Sequence, residues 1–94
     1  MAKADVFIFL LSAVATDENV SYLLGDRHAI VACVRGETVE ETEATLATAL
    51  EHGWRDHATT KVSKAASETE MEAVQDARKL GITLTIFADP IKPN

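Results

Sequence analysis

Cysteine is almost absent from this sequence, since Cys33 is the only one among 94 residues. A single cysteine cannot form a disulfide within the chain, and no Cys/His spacing resembles a zinc site. The four glycines fit turns and helix ends, and none belongs to a glycine-rich phosphate-binding loop. The sequence therefore predicts no cofactor and no metal, and it favours a reducing, cytoplasmic location.

Basic residues are also few, because nine Lys and Arg against fifteen Asp and Glu give a formal net charge of -6. They are scattered singly, whereas nucleic acids and anionic membranes bind clustered positive charge. We therefore expect neither a nucleic acid nor a membrane as a partner. The composition, 47% hydrophobic and 26% charged, is that of a folded protein. It predicts one domain over residues 1–94, with a short tail at 90–94.

The most apolar stretch, "DVFIFLLSAVA" at Asp5–Ala15, allows two interpretations. The basic Lys3 before it and the small residues at its end are typical of a secretory signal peptide. Its β-branched and aromatic residues favour a strand instead, and Asp5 places a negative charge where the apolar run begins. Loss of residues 1–15 would also remove the best core segment of a small chain. We therefore predict a strand, with the signal peptide as the alternative.

Hydrophobic periodicity and turn residues predict the element order β-β-α-β-α-β. Further strands are expected at 28–34, at 54–63 and at 82–87, the second of these being a polar edge strand. In the last strand, isoleucines and leucine alternate with threonines and Phe87.

Two capping boxes mark the predicted helices. Thr38 and Glu41 begin the first, expected over residues 39–52, and Gly53 suits its C-terminal end. Ser67 and Glu70 begin the second. Its predicted apolar face is formed by Met71, Val74 and Ala77. Its predicted C-terminal end is marked by Arg78, Lys79 and Gly81.

These elements predict an α+β fold, a two-layer sandwich in which both helices cover one face of a four-stranded, mainly antiparallel sheet. The architecture would be ferredoxin-like. The first two strands are apolar on both sides, so the uncovered face would expose large side chains that a monomer rarely tolerates. We therefore predict a homodimer through that face, with Phe7 and Phe9 contributing. The alternative is that the loop at 20–24 folds back over the patch.

Three histidines are candidates for proton transfer. His28, with Asp26 nearby and an acidic residue of the preceding loop, would form a histidine and carboxylate site at a strand end. Charged residues that merely flank a strand are the alternative. His52 and His57 flank a helix-to-strand corner. The position of His52 is explained by a favourable interaction with the helix dipole, and His57 is expected to be a surface residue.

Tyr22 and Trp54 are the candidates for a small-ligand pocket, because each combines an aromatic ring with a polar group. Packing of Trp54 over the helix end is the alternative. Cys33 lies in the middle of a predicted strand, where we expect a buried, unreactive thiol.

The sequence therefore predicts a small, acidic, homodimeric interaction or regulatory module that binds a protein partner or a small ligand. No catalytic constellation is evident, so an enzyme is the second hypothesis. It would be a small dimeric enzyme that uses a histidine and carboxylates in a cleft on the sheet.

Overall fold

A computed structural model describes residues 4–66 and 69–91 and has the predicted order of elements. The strands and helices are β1 (Asp5–Ala15), β2 (Arg27–Gly36), α1 (Val39–Leu50), β3 (Trp54–Lys64), α2 (Glu72–Leu80) and β4 (Ile82–Ile86). The strands form one antiparallel sheet in the order β3-β1-β2-β4. Within the described ranges, no helix has the length and apolar character needed to cross a membrane.

The apolar segment at the beginning of the chain is the central strand β1, as the strand interpretation predicted. It pairs with β2 on one side and with β3 on the other, so its backbone hydrogen bonds are made within the sheet. Its side chains are buried on both faces, which explains why the segment is apolar throughout.

The two helices lie on opposite faces of the sheet, so the prediction that both cover one face is wrong. Alternate residues of a strand point to opposite faces, and the two sets in β1 belong to different core clusters. Phe7, Phe9 and Leu11 pack with Leu46 and Leu50 of α1. The opposite cluster joins Val6 and Cys33 to Val74 and Ala77 of α2.

This arrangement makes three layers, helix, sheet and helix. Two strands that are apolar on both sides are satisfied when each face has a helix of its own, which is the physical reason for the difference from the predicted two-layer sandwich. The observed strand order does not confirm a ferredoxin-like arrangement.

The same packing corrects the predicted interface residues. Phe7 and Phe9 lie in the core beneath α1, with 9% and 1% of their surface exposed, and are therefore not on an open face. The loop at 20–24 does not cover an open face either, since Leu23 and Leu24 are 76% and 68% exposed.

The first capping box is confirmed, because the Thr38 hydroxyl accepts a hydrogen bond of 3.1 Å from the backbone N–H of Glu41. Helix α1 ends at Leu50, slightly earlier than predicted. Ser67 of the second box lies outside the described residues. Helix α2 begins only at Glu72, after Met71, whose side chain makes no capping hydrogen bond.

The prediction for the end of α2 is confirmed, with Gly81 at a φ of 97°. Val74 and Ala77 are buried as predicted, but Met71 is half exposed. Strand β3 is an edge strand, as predicted, and every residue in it after Trp54 is exposed.

Candidate functional site

Helix α2 covers only part of its face of the sheet, and a shallow apolar depression of about 370 Å³ remains beside it. We call this region the open half-face. It is lined by Leu10, Leu11, Ser12, Ala29, Ile30, Val31, Thr60, Phe87 and Ile91. Leu10, Phe87 and Ile91 are 39%, 52% and 46% exposed, so three large apolar side chains meet solvent within one depression.

The chain after β4 forms one rim of the open half-face. The N–H of Phe87 donates to the carbonyl of Ala29 (2.9 Å), and the N–H of Ile91 donates to that of Arg27 (2.7 Å). These bonds hold the segment beside β2. The Arg27 guanidinium donates to the Ser12 hydroxyl (2.8 Å), so the hydroxyl of Ser12 on this face has a hydrogen-bond partner within the chain. The remaining lining is mostly apolar.

A cluster of three rings lies on the opposite, α1 side of the sheet. The centroid of the His28 ring is 4.4 Å from that of Tyr22 and 6.0 Å from that of Trp54, and the centroids of Tyr22 and Trp54 are 5.7 Å apart. His28 belongs to β2, Trp54 begins β3, and Tyr22 comes from the loop between β1 and β2.

Asn19 holds that loop against the end of α1. Its side-chain N–H donates to the carbonyl of Gly53 (3.1 Å), while its side-chain oxygen accepts from the N–H of Tyr22 (3.1 Å). Gly53 has a φ of 99°, a conformation that favours glycine and turns the chain from α1 into β3. The local sequence therefore places Tyr22 over the beginning of β3.

His28 is a buried polar residue with one satisfied ring nitrogen. It is 2% exposed, and its Nδ1 lies 2.8 Å from the carbonyl oxygen of Phe87. Because a carbonyl only accepts, Nδ1 carries the proton, and in the neutral ring Nε2 is then a hydrogen-bond acceptor. Nε2 is fully buried and has no partner within the described parts of the chain. An unsatisfied buried acceptor of this kind costs about 1–3 kcal/mol.

Tyr22 and Trp54 also line a depression of about 240 Å³, which we call the Tyr22–Trp54 pocket. Its other walls include Glu18 and His52, whose carboxylate oxygen and Nδ1 are 3.1 Å apart and well exposed. The pocket therefore combines two aromatic rings with a carboxylate and an imidazole at its mouth.

The structure brings together three of the predicted site residues, Tyr22, Trp54 and His28, but not Asp26. Asp26 lines a different depression, with Val14 and Ile91 among its neighbours. His28 is hydrogen-bonded to the carbonyl of Phe87 and contacts the rings of Tyr22 and Trp54. Among the described residues, no carboxylate is a partner of His28.

The remaining candidates are placed singly. His57 lines a groove of about 300 Å³ with Leu46 of α1 and Val62 of β3, away from the pocket that His52 lines. Cys33 is buried, as predicted, and its burial raises the pKa of the thiol.

Sequence reasoning missed the residues of the open half-face. Phe87 shares a side of the β4 pattern with Thr83 and Thr85, and this departure from a polar side was a usable signal. Leu10 lies in a run that is apolar on both sides, so the sequence does not distinguish it from its buried neighbours. Its exposure depends on how much of the sheet α2 covers.

Comparisons with family models, with curated proteins and with solved structures found no match to this chain. The two surface features that bear on function are the open half-face and the Tyr22–Trp54 pocket.

Proposed function

We propose that this protein is a homodimeric interaction module that assembles through the open half-face and binds a protein partner or a small ligand without transforming it. The observation that carries the proposal is the exposure of Leu10, Phe87 and Ile91 in one depression. Adjacent exposed apolar side chains of this size mark interaction surfaces. A two-fold dimer buries the same patch on both copies and is the commonest assembly of soluble proteins.

Charges at the two rims support a particular symmetry. Lys61 is the β3 partner of Leu10, so it flanks the depression on the β3 side. Asp89 follows Phe87 on the other side, in the segment that runs beside β2. A two-fold axis parallel to the strands brings the basic rim of one copy opposite the acidic rim of the other. Complementary rims of this kind fix the register of an interface.

The second hypothesis, a dimeric enzyme, needs a carboxylate next to His28. The partners that the structure gives His28 are a backbone carbonyl and two rings. The Phe87 carbonyl orients the ring, as a general base requires, but the carboxylate of the predicted pair is not among these partners. Binding is therefore the function that the geometry favours, and His28 enters it as a hydrogen-bonding group.

A matched pair of variants tests the proposed dimer by size-exclusion chromatography with light scattering at micromolar concentration. Phe87→Glu places a carboxylate in the interface of both copies. Loss of an interface anchor costs about 2 kcal/mol per copy, so we expect dimerisation about a thousandfold weaker and a monomer peak.

The control is Leu23→Glu, which adds the same charge at an exposed apolar residue outside the open half-face. It should remain a dimer, like the unchanged protein. A monomeric unchanged protein, or equal dissociation of both variants, would contradict the proposal.

A further inference from the structure

Nε2 of His28, which has no hydrogen-bond partner among the described residues, lies on the same side of the sheet as the Tyr22–Trp54 pocket. The rings that contact His28 also line the pocket. We propose that this pocket binds a small organic ammonium ion, whose N–H group donates a hydrogen bond to Nε2 of His28. This site is on the α1 face, opposite the proposed dimer interface, and the two are connected through the Phe87 carbonyl, which accepts a hydrogen bond from His28 Nδ1.

The chemistry of the pocket selects a cation that carries N–H groups. Nε2 offers a lone pair and needs a donor. The faces of Tyr22 and Trp54 attract positive charge through their quadrupoles, and this attraction strengthens in a partly desolvated site. Glu18 adds a carboxylate at the mouth, where it lies 3.1 Å from Nδ1 of His52. An anion would meet none of these attractions, and a neutral apolar molecule would leave Nε2 unsatisfied.

The size of the pocket limits the ligand. Its volume of about 240 Å³ is below the roughly 300–1,000 Å³ typical of pockets for drug-sized molecules. An amine with one aromatic ring or a short aliphatic chain is therefore the appropriate class.

Contact with the buried Nε2 requires a neighbouring ring to move, and Tyr22, whose ring centroid is 4.4 Å from that of His28, is the neighbour that lies on a loop. Tyr22 belongs to a surface loop that Asn19 holds in place, and the bond from Asn19 to Tyr22 is made with the backbone N–H of Tyr22, not with its ring. A change of side-chain rotamer therefore opens the route without breaking these hydrogen bonds. Rotamer changes of this kind are common when ligands or partners bind.

The single tryptophan of the chain, Trp54, provides the readout, because its fluorescence responds to a ligand against its ring. The probe is 2-phenylethylammonium. Two analogues serve as controls: the N,N,N-trimethyl derivative keeps the charge but has no N–H donor, and 3-phenylpropanoate reverses the charge. We expect saturable change with the probe at millimolar concentration, at least tenfold weaker binding of the trimethyl derivative, and none of the carboxylate.

His28→Asn tests the acceptor. The asparagine side-chain N–H takes the place of Nδ1 toward Phe87, but no acceptor remains where Nε2 was. We expect about tenfold weaker binding of the probe. His57→Asn, the same change at an exposed residue of β3, should bind like the unchanged protein.

A second measurement needs no variant and therefore does not depend on the folding of His28→Asn. The ¹⁵N chemical shift of His28 Nε2 in the unchanged protein should move when the probe saturates the site. Equal binding of the ammonium and its trimethyl derivative, an unmoved Nε2 shift, or no saturable fluorescence change would each overturn the proposal.

Discussion

At the scale of single residues, Cys33 is the clearest case of an environment that changes chemistry. Burial raises the pKa of its thiol above the ordinary value of 9.0, and a hydrogen bond with the Thr83 side chain opposes this by a smaller amount. The folded state therefore favours the protonated thiol. Its contribution to stability is fully present below the pKa of the unfolded chain and is lost as the pH rises through the folded pKa.

We predict that the free energy of unfolding of the unchanged protein decreases relative to that of Cys33→Ala once the pH exceeds about 9. The decrease should be about 1.4 kcal/mol per pH unit between the two pKa values. Urea unfolding of both proteins from pH 7 to pH 11 measures it, with the variant as the control for lysine and tyrosine titration. A difference that stays constant over this range would show that the thiol is not desolvated.

His28, Tyr22 and Trp54 show the limit of sequence reasoning at this scale. Each was recognisable as a candidate, because an aromatic or imidazole ring near a strand end is a common binding group. Their contact was not predictable, since it depends on Asn19 directing the loop onto the end of α1. Such a long-range hydrogen bond between a loop and a helix end leaves no periodic pattern in the sequence.

At the scale of elements, helix α1 is stabilised by its N-cap. The Thr38 hydroxyl accepts the N–H of Glu41, and the acidic residues Glu40 and Glu41 occupy the first turn. We predict that Thr38→Ala lowers the free energy of unfolding by about 1 kcal/mol, measured by urea denaturation.

Thr48→Ala is the matched control for this prediction. Thr48 is exposed within α1, and its hydroxyl only bonds back to the carbonyl of Ala44. Because alanine is the better helix former, this variant should be unchanged or slightly more stable. Equal losses in both variants would show that the cap does not stabilise the helix.

Element types were predictable here, whereas their placement in space was only partly so. Strand β4, with its alternation, and α1, with its capping box, carry local signals that the structure confirms. The side on which each helix packs depends on the whole chain. Strands that are apolar on both sides are compatible with a helix on each face, and equally with one face buried against a partner. In this chain a helix covers most of each face.

At the scale of the whole molecule, the incomplete cover provided by α2 is the feature with functional consequences. Helices α1 and α2 bury most of the two faces, and Leu10, Phe87 and Ile91 are the large apolar side chains that stay exposed in the depression beside α2. The proposed homodimer removes this surface from water, and it leaves the Tyr22–Trp54 pocket of each copy free on the opposite face. Assembly and ligand binding can therefore be tested with separate variants.

The most direct test of the proposed assembly is an isotope-filtered nuclear Overhauser experiment on a mixture of labelled and unlabelled protein, which detects contacts between copies only. We predict contacts from the methyl groups of Leu10 in one copy to the ring of Phe87 in the other. Contacts from Leu23 or Leu24 instead, or no contacts between copies, would contradict assembly through the open half-face.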